Sequence, residues 1–283
     1  MIAVVYSGSK FADWRLADKG RVVTGFRTSG INPYLQDERY IAQLLNKNTN
    51  LINNAEKIKR IYFFGAGSSS PERKNKIKTV FEKFFINAKV KVEHDVIASA
   101  ISTFGDEKGI IGIIGSGSNA AYYTGKKIMS NNYGLGYILA DEGSTNWTSR
   151  MLLKHYLTDT LPQDLEDKLL NKFAIDRKII LEKVYNSPQP TIFLNSFSDF
   201  VLENKNHPFI IQIVKNGFRL YLKTFIKPLY KEHPDNHVNF TGSVAANFES
   251  LLKEVAIEEF NLSIGTITKE PIHNLIKYYI NKN

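Results

Sequence analysis

The 283-residue chain contains no cysteine. Disulfides, thiolate metal sites and a cysteine nucleophile are therefore excluded. Tryptophan is scarce, at two residues, Trp14 and Trp147, and both read as packing residues. No stretch approaches the ~18–20 uncharged apolar residues that a membrane span needs, so no membrane partner is expected. The N-terminal run lacks a basic segment followed by a long apolar one, so no signal peptide is expected. A cytoplasmic protein fits both absences. His207, His233, His237 and His273 lie far apart without metal-ligand spacing, and no metal ligand is assigned.

The formal net charge is +9. A positive surface can bind nucleic acid, keep a protein soluble, or attract an anionic small molecule. The lysines are scattered, with denser clusters at Lys57–Arg60 and Arg73–Lys78. The second cluster falls on an amphipathic stretch, ERKNKIKTVFEKFF, and reads as its solvated face. No nucleic-acid partner is expected.

Strand-like and helical patterns alternate along the chain, which predicts α/β layers. Residues 2–6, 11–16 and 21–27 read as strands, with a tight turn at Asp18-Lys19-Gly20. The segment 109–131, GIIGIIGSGSNAAYYTGKKIMSN, repeats this plan weakly and predicts strands ending at Ile114, over Ala120–Tyr123 and over Lys127–Ser130. Further strands are expected at Lys59–Phe64, Lys89–Glu93 and Val238–Phe240. Long helices are expected at His207–Tyr230, kinked by Pro228, and at Ala245–Phe260.

Four apolar runs end in small, hydroxyl-rich turns: AVVYSGS, IYFFGAGSSS, IIGIIGSGSN and VNFTGSVA. Such a turn exposes successive backbone N–H groups that can cradle an anion. It can equally be a tight turn in which glycine supplies positive φ and serine caps a helix. Asp95 follows an apolar run and opens a stretch of small residues; alone it reads as a helix N-cap. Asp141 and Glu142 precede a helix, where acids complement the dipole.

The ordered set GINP (30–33), GAGSS (65–69), EHDVIASA (93–100), GSGSNA (115–120), GYILADEGS (136–144) and FTGSVAANF (240–248) resembles the BadF/BadG/BcrA/BcrD-type ATPases. It is most similar to their N-acetylglucosamine kinase branch, within the actin-like ATPase superfamily. The resemblance spans nearly the whole chain. It implies an α/β protein of two duplicated actin-like (ribonuclease H-like) domains with a cleft between them. Residues 1–105 would form the first and 106–270 the second, which carries helical insertions, while 271–283 returns to the first.

The resemblance also implies ATP and Mg²⁺ as cofactors, an amino sugar as substrate, and a homodimer. Ser7, Gly8, Ser9 and Lys10, with Gly115, Ser116, Gly117 and Ser118, would face the phosphates. Gly242 and Ser243 would meet the nucleoside side. Asp95 would be the catalytic base, and Asn32, Asp141 and Glu142 would bind the sugar. The implied reaction is phosphorylation of N-acetylglucosamine at its 6-hydroxyl, with glucosamine and N-acetylmuramic acid as further candidate substrates.

The first loop departs from the family pattern A-D-S-G-S-T-K-T-D-W. Tyr6 replaces the acid that helps place Mg²⁺, and Lys10, Phe11 and Ala12 replace threonine, lysine and threonine. A phenol does not hold a hydrated cation as a carboxylate does. Two readings follow: an active kinase, or a catalytically degenerate sugar- or nucleotide-binding protein of the same fold.

Overall fold

A computed structural model describes residues 1–8, 11–129 and 131–282. The chain forms two compact units: Met1–Lys108 with Tyr123–Ile128 and Glu270–Asn283, and Gly109–Tyr122 with Met129–Lys269.

The first unit is built on a five-stranded sheet. Its strands are β1 (Ile2–Ser7), β2 (Phe11–Asp18), β3 (Arg21–Ser29), β4 (Arg60–Gly65) and β5 (Lys89–His94), in the order β3-β2-β1-β4-β5. Strand β1 is central, and Ala3, Val4 and Val5 are wholly buried, which is why it reads as an unbroken apolar run. Lys19 and Gly20 both have positive φ, at 47° and 76°. They make the two-residue turn whose twist suits the β2–β3 hairpin. Strands β1, β4 and β5 run parallel.

Helices α1 (Glu38–Asn46), α2 (Thr49–Ile52), α3 (Pro71–Phe84) and α4 (Asp95–Phe104) complete this part of the unit. Trp14 is fully buried and stacks on Phe26 and Phe81, with ring centroids 5.9 and 5.8 Å away. The C-terminal helix, Ile272–Lys282, packs on α4, β1 and β2 and stacks Tyr279 on Tyr62 at 3.8 Å.

The second unit has a four-stranded sheet. Its strands are β6 (Gly109–Ile114), β7 (Ser118–Tyr123), β8 (Val238–Thr241) and β9 (Ile264–Thr268), in the order β7-β6-β8-β9. Strands β6, β8 and β9 are parallel. Helices α5 (Gly136–Leu139), α6 (Thr145–Leu157), α7 (Gln163–Lys172), α8 (Arg177–Leu181), α9 (Pro190–Asn195), α10 (Ser198–Glu203), α11 (Pro208–Tyr221), α12 (Lys227–Glu232), α13 (Ser243–Asn247) and α14 (Glu249–Glu254) bury the larger core. Among the described residues no helix is long and apolar enough to cross a membrane.

Four elements differ from expectation, the first being the long helix at Ala245–Phe260, which is two short helices, α13 and α14, separated at Phe248 and followed by a π-turn at Val255–Glu259. The strand predicted at Lys127–Ser130 is reduced to one bridge, Tyr123 with Ile128, and Ser130 lies outside the described residues. The return is tight: Gly125 has φ +85°, and a Cβ there would lie 2.3 Å from the Asp106 carbonyl oxygen. The long helix His207–Tyr230 is two helices joined by a π-turn, Leu222–Ile226, whose closing bond runs from the Lys227 N–H to the Leu222 carbonyl. Pro228 follows at once and has no N–H to donate, so the wider turn absorbs the break. Strand β9 was not anticipated because Gly265 interrupts its pattern. Asn239 explains that glycine, since its Oδ1 accepts the Thr266 N–H at 2.8 Å and would lie 2.2 Å from a Cβ on Gly265.

Candidate active site

In the first unit, Ser7, Gly65 and His94 are level across the sheet, so β1, β4 and β5 end together. Ligands of parallel α/β sheets bind beyond such carboxyl ends. Asp95 is the next residue after β5 and the first of α4. It is half-buried, and its carboxylate accepts its own N–H and that of Val96. Burial raises its pKa, opposed by His94 and by those two N–H groups. His94 is held below its ordinary range by burial, aided by Lys74 and opposed by Asp95 and Glu93. The Asp95 carboxyl is thus raised above the usual carboxylate range, the direction that strengthens a carboxylate as a proton acceptor.

Tyr6 turns toward α4, where its hydroxyl meets Ser99. Burial and the neighbouring charge of Asp95 push its pKa well above the phenol range, so it stays neutral. Asp13 is the cross-strand partner of Tyr6, but its Oδ1 accepts Arg27 Nε at 2.6 Å. Arg27 is held in turn by Glu270 at 3.2 Å.

These facts bear on Mg²⁺. Among the described residues no group of three or more His, Asp or Glu is placed to hold a metal ion. Asp13 is ion-paired with Arg27, Glu93 is paired with Lys74, and Tyr6 is uncharged, which leaves Asp95 as the carboxylate at these strand ends without an Arg or Lys partner among the described residues. Mg²⁺ keeps several waters and is often bound by one or two carboxylates plus substrate phosphates. The residues therefore fit an ion carried on a triphosphate, with Asp95 as its protein carboxylate.

The expected phosphate contact by Ser7 is corrected. Its hydroxyl is fully buried, donates to the Ile31 carbonyl at 3.0 Å and accepts the Ile31 N–H at 2.8 Å. The Gly8 N–H donates to the Phe11 carbonyl at 3.0 Å. Ser7 therefore fastens the loop at 30–36 and Gly8 closes onto β2, so neither the Ser7 hydroxyl nor the Gly8 N–H is a free donor. Ser9 and Lys10 lie outside the described residues.

The loop at 30–36 is tightly bound. Gln36 accepts the Asn32 N–H and donates to the Gly30 carbonyl, both at 2.9 Å. Asn32 Oδ1 accepts the Tyr34 N–H at 2.9 Å, and its amide NH₂ has no acceptor among the described residues. Gly67 lies against this side chain, and a Cβ on it would be 2.1 Å from Asn32 Oδ1. The structure thus brings GINP and GAGSS together. Lys76 donates to the Pro33 and Gln36 carbonyls at 2.9 and 3.4 Å, and Lys74 pairs with Glu93. Reading Arg73–Lys78 wholly as a solvated face was therefore wrong. The helical pattern of α3 carried no signal that these cations turn inward.

In the second unit, the turn at 115–118 rests on the start of α6. The Thr145 N–H donates to the Gly115 carbonyl at 2.9 Å and the Asn146 N–H to the Ser116 carbonyl at 3.1 Å. The Gly115 N–H donates to the Gly117 carbonyl at 2.9 Å and the Ser118 N–H to Asp141, so the expectation that all four residues face phosphate is corrected: Ser116 and Gly117 are the ones whose N–H groups have no acceptor among the described residues. The second glycine turn lies alongside. Gly242 has φ +115°, and a Cβ on it would lie 2.3 Å from the Ile114 carbonyl oxygen. Ser243 then opens α13 with its nitrogen 4.0 Å from where a Cβ on Gly115 would be.

Asp141 braces this assembly. Its Oδ1 accepts the Ser118 N–H at 2.9 Å and its Oδ2 accepts the Asn146 Nδ2 at 3.2 Å. It is buried, which raises its pKa against the pull of Ser118, Asn146 and Arg150. Both oxygens serve the turn, so the expectation that Asp141 binds sugar is revised to one of positioning. Glu142 differs, since its Oε2 is buried without a hydrogen-bond partner, as are Ser118 Oγ, Asn146 Oδ1 and Ser149 Oγ. Each such atom costs about 1–3 kcal/mol unless a ligand or water satisfies it.

A cavity of about 220 Å³ lies beside Ser243, lined also by Thr145, Thr148, Val244, Asn247 and Lys269. A larger groove of about 650 Å³ lies on α1 and α3 and contains none of the expected site residues.

The chain is similar over 99% of both chains to a solved candidate N-acetylglucosamine kinase from Porphyromonas gingivalis, at 32% identity and a TM-score of 0.93. A candidate N-acetylglucosamine kinase from Chromobacterium violaceum matches over 99% of both chains at 13% identity and a TM-score of 0.68. A ROK-family glucokinase from Streptomyces griseus, solved with glucose and AMPPNP, matches over 98% of this chain and 97% of its own, at 11% identity and a TM-score of 0.62. These two show the fold, that of the actin-like two-domain sugar kinases. No protein-family model and no curated protein matches the chain.

Proposed function

The chain belongs to the same sugar-kinase family as the Porphyromonas gingivalis protein, and from that premise we propose that it transfers the γ-phosphate of ATP to the 6-hydroxyl of N-acetylglucosamine. The ordered motifs support the finer placement among BadF/BadG/BcrA/BcrD-type ATPases. The observation that carries the reading is Asp95, a half-buried acid of raised pKa at the common end of β1, β4 and β5.

In this reading Asp95 orients the sugar hydroxyl and accepts its proton, and the Asn32 amide and Glu142 bind other hydroxyls. The N–H groups of Ser116, Gly117 and Ser243 bind phosphate oxygens, and the 220 Å³ cavity takes the nucleoside. Mg²⁺, when bound, offsets phosphate charge. The use of ATP supports a cytoplasmic setting. A thermal-shift series tests the proposal, because a ligand that binds the native state raises its Tm. N-acetylglucosamine and Mg-ATP should each raise Tm; no shift with either would contradict the proposal.

Asp141→Asn separates positioning from sugar contact. The new amide would set a donor against the Asn146 NH₂ and loosen the turn at 115–118. The KM for ATP is expected to rise about tenfold, the scale of one charge-assisted hydrogen bond, with the sugar KM unchanged. A selective rise in the sugar KM would restore Asp141 as a sugar ligand.

A second reading, a sugar-binding protein that no longer turns over, is favoured by one observation: the neutral Tyr6 beside Asp95.

A further inference from the structure

Arg73 lies in the first turn of α3, and its surroundings hold it firmly without neutralising it. Its Nη2 donates to Ser69 Oγ at 2.7 Å, and its guanidinium lies over the Tyr34 ring at 5.3 Å. Tyr34 is itself tied to Asn32, and its Cβ lies 3.2 Å from where a Cβ on Gly67 would be. Arg73 therefore belongs to the same cluster as the loop at 30–36 and the turn at 65–69. Its Nε is buried without a hydrogen-bond partner, and so is the wholly buried Ser68 Oγ in that turn.

The charge balance is one-sided. Lys74 pairs with Glu93, and Lys78 with Glu82 at 3.8 Å. Among the described residues no acid pairs with Arg73, while Lys76 meets only carbonyls of the same loop. A planar guanidinium fixed by stacking, with unused donors beside a polar site, is suited to a carboxylate or phosphate.

Resting on the sugar-kinase reading, we infer that Arg73 is a specificity-determining residue that receives an anionic substituent of the sugar, a carboxylate or a phosphate. Asn32 would contact the neutral ring hydroxyls, and Arg73 would select sugars that carry the charge.

The test compares wild type, Arg73→Gln and Arg73→Lys in calorimetric binding without nucleotide. The probes are N-acetylglucosamine, its carboxylate-bearing lactyl ether N-acetylmuramic acid, and N-acetylglucosamine 1-phosphate. At least one anionic sugar should bind wild type about tenfold or more tightly than the neutral one, and which of the two gains identifies carboxylate or phosphate. Arg73→Gln should abolish that gain and leave affinity for N-acetylglucosamine within about twofold, and Arg73→Lys should keep part of it. Equal binding of neutral and anionic sugars by wild type, or an equal loss for all sugars in Arg73→Gln, would overturn the inference. Phosphorylation of N-acetylglucosamine by wild type and Arg73→Gln alike would still leave the kinase reading standing. Selective binding of anionic sugars with no sugar phosphate formed would strike that reading alone.

Discussion

Asp95→Asn is expected to lower turnover by about 10²–10⁴-fold, the usual contribution of a positioned general base, while sugar affinity stays within about twofold. The amide keeps the size of the carboxylate and one accepting oxygen but does not accept the hydroxyl proton. The same substitution has a stability signature of opposite sense. Burial raises the folded-state pKa of Asp95. Its contribution to stability is therefore full below the unfolded carboxylate pKa and is lost as pH rises through the folded pKa. At neutral pH the buried charge is a net cost, so Asp95→Asn should raise Tm at pH 7–8. The gain should shrink as pH falls into the carboxylate range. For the same reason the acid limb of the wild-type kcat profile should lie above the usual carboxylate range. Unchanged turnover in Asp95→Asn would remove Asp95 from the chemistry.

Tyr6→Asp should make the protein respond to Mg²⁺ without nucleotide. The new carboxylate would share a half-buried space with Asp95 and Asp13, with Arg27, His94 and Lys74 as the nearby cationic or titratable groups. Like charges so placed raise one another's pKa and cost stability. A loss of about 1–3 kcal/mol is typical of such changes, or roughly 2–4 °C of Tm per kcal/mol in a chain of this order of size. Millimolar Mg²⁺ should restore most of it, because the ion is bound through one or two carboxylates with retained waters. Wild-type Tm should not respond to Mg²⁺ alone. The rate separates the two functional readings. An active kinase should change by less than about tenfold, whereas a decayed one regains an electrostatic partner worth roughly 10²–10³. A variant whose Tm falls and ignores Mg²⁺ would refute the metal argument.

Much of the architecture was legible because the central strands are apolar on both faces and end in small residues. Ala3–Val5 and Ile110–Ile111 are wholly buried, and their runs stop where glycine turns begin. The Lys19-Gly20 hairpin was legible for a related reason, since positive φ at both positions suits few residues. What was hidden depends on contacts distant in sequence. Ser7 looked like a phosphate donor, but its hydroxyl meets Ile31, 24 residues away. Asp141 looked like a sugar ligand, but it holds the Ser118 N–H 23 residues before it. Strand β9 was obscured by a glycine that only the side chain of Asn239 explains. Arg73 carries an ordinary helical surface pattern, and only the fold turns it onto Tyr34.

Phosphoryl transfer itself is tested most directly by ³¹P nuclear magnetic resonance of the protein with ATP, Mg²⁺ and N-acetylglucosamine. The expected spectrum gains ADP and a phosphomonoester coupled to the C6 protons of the sugar, in equal amounts. ATP left intact while the sugar demonstrably binds, or hydrolysed to inorganic phosphate alone, would contradict it.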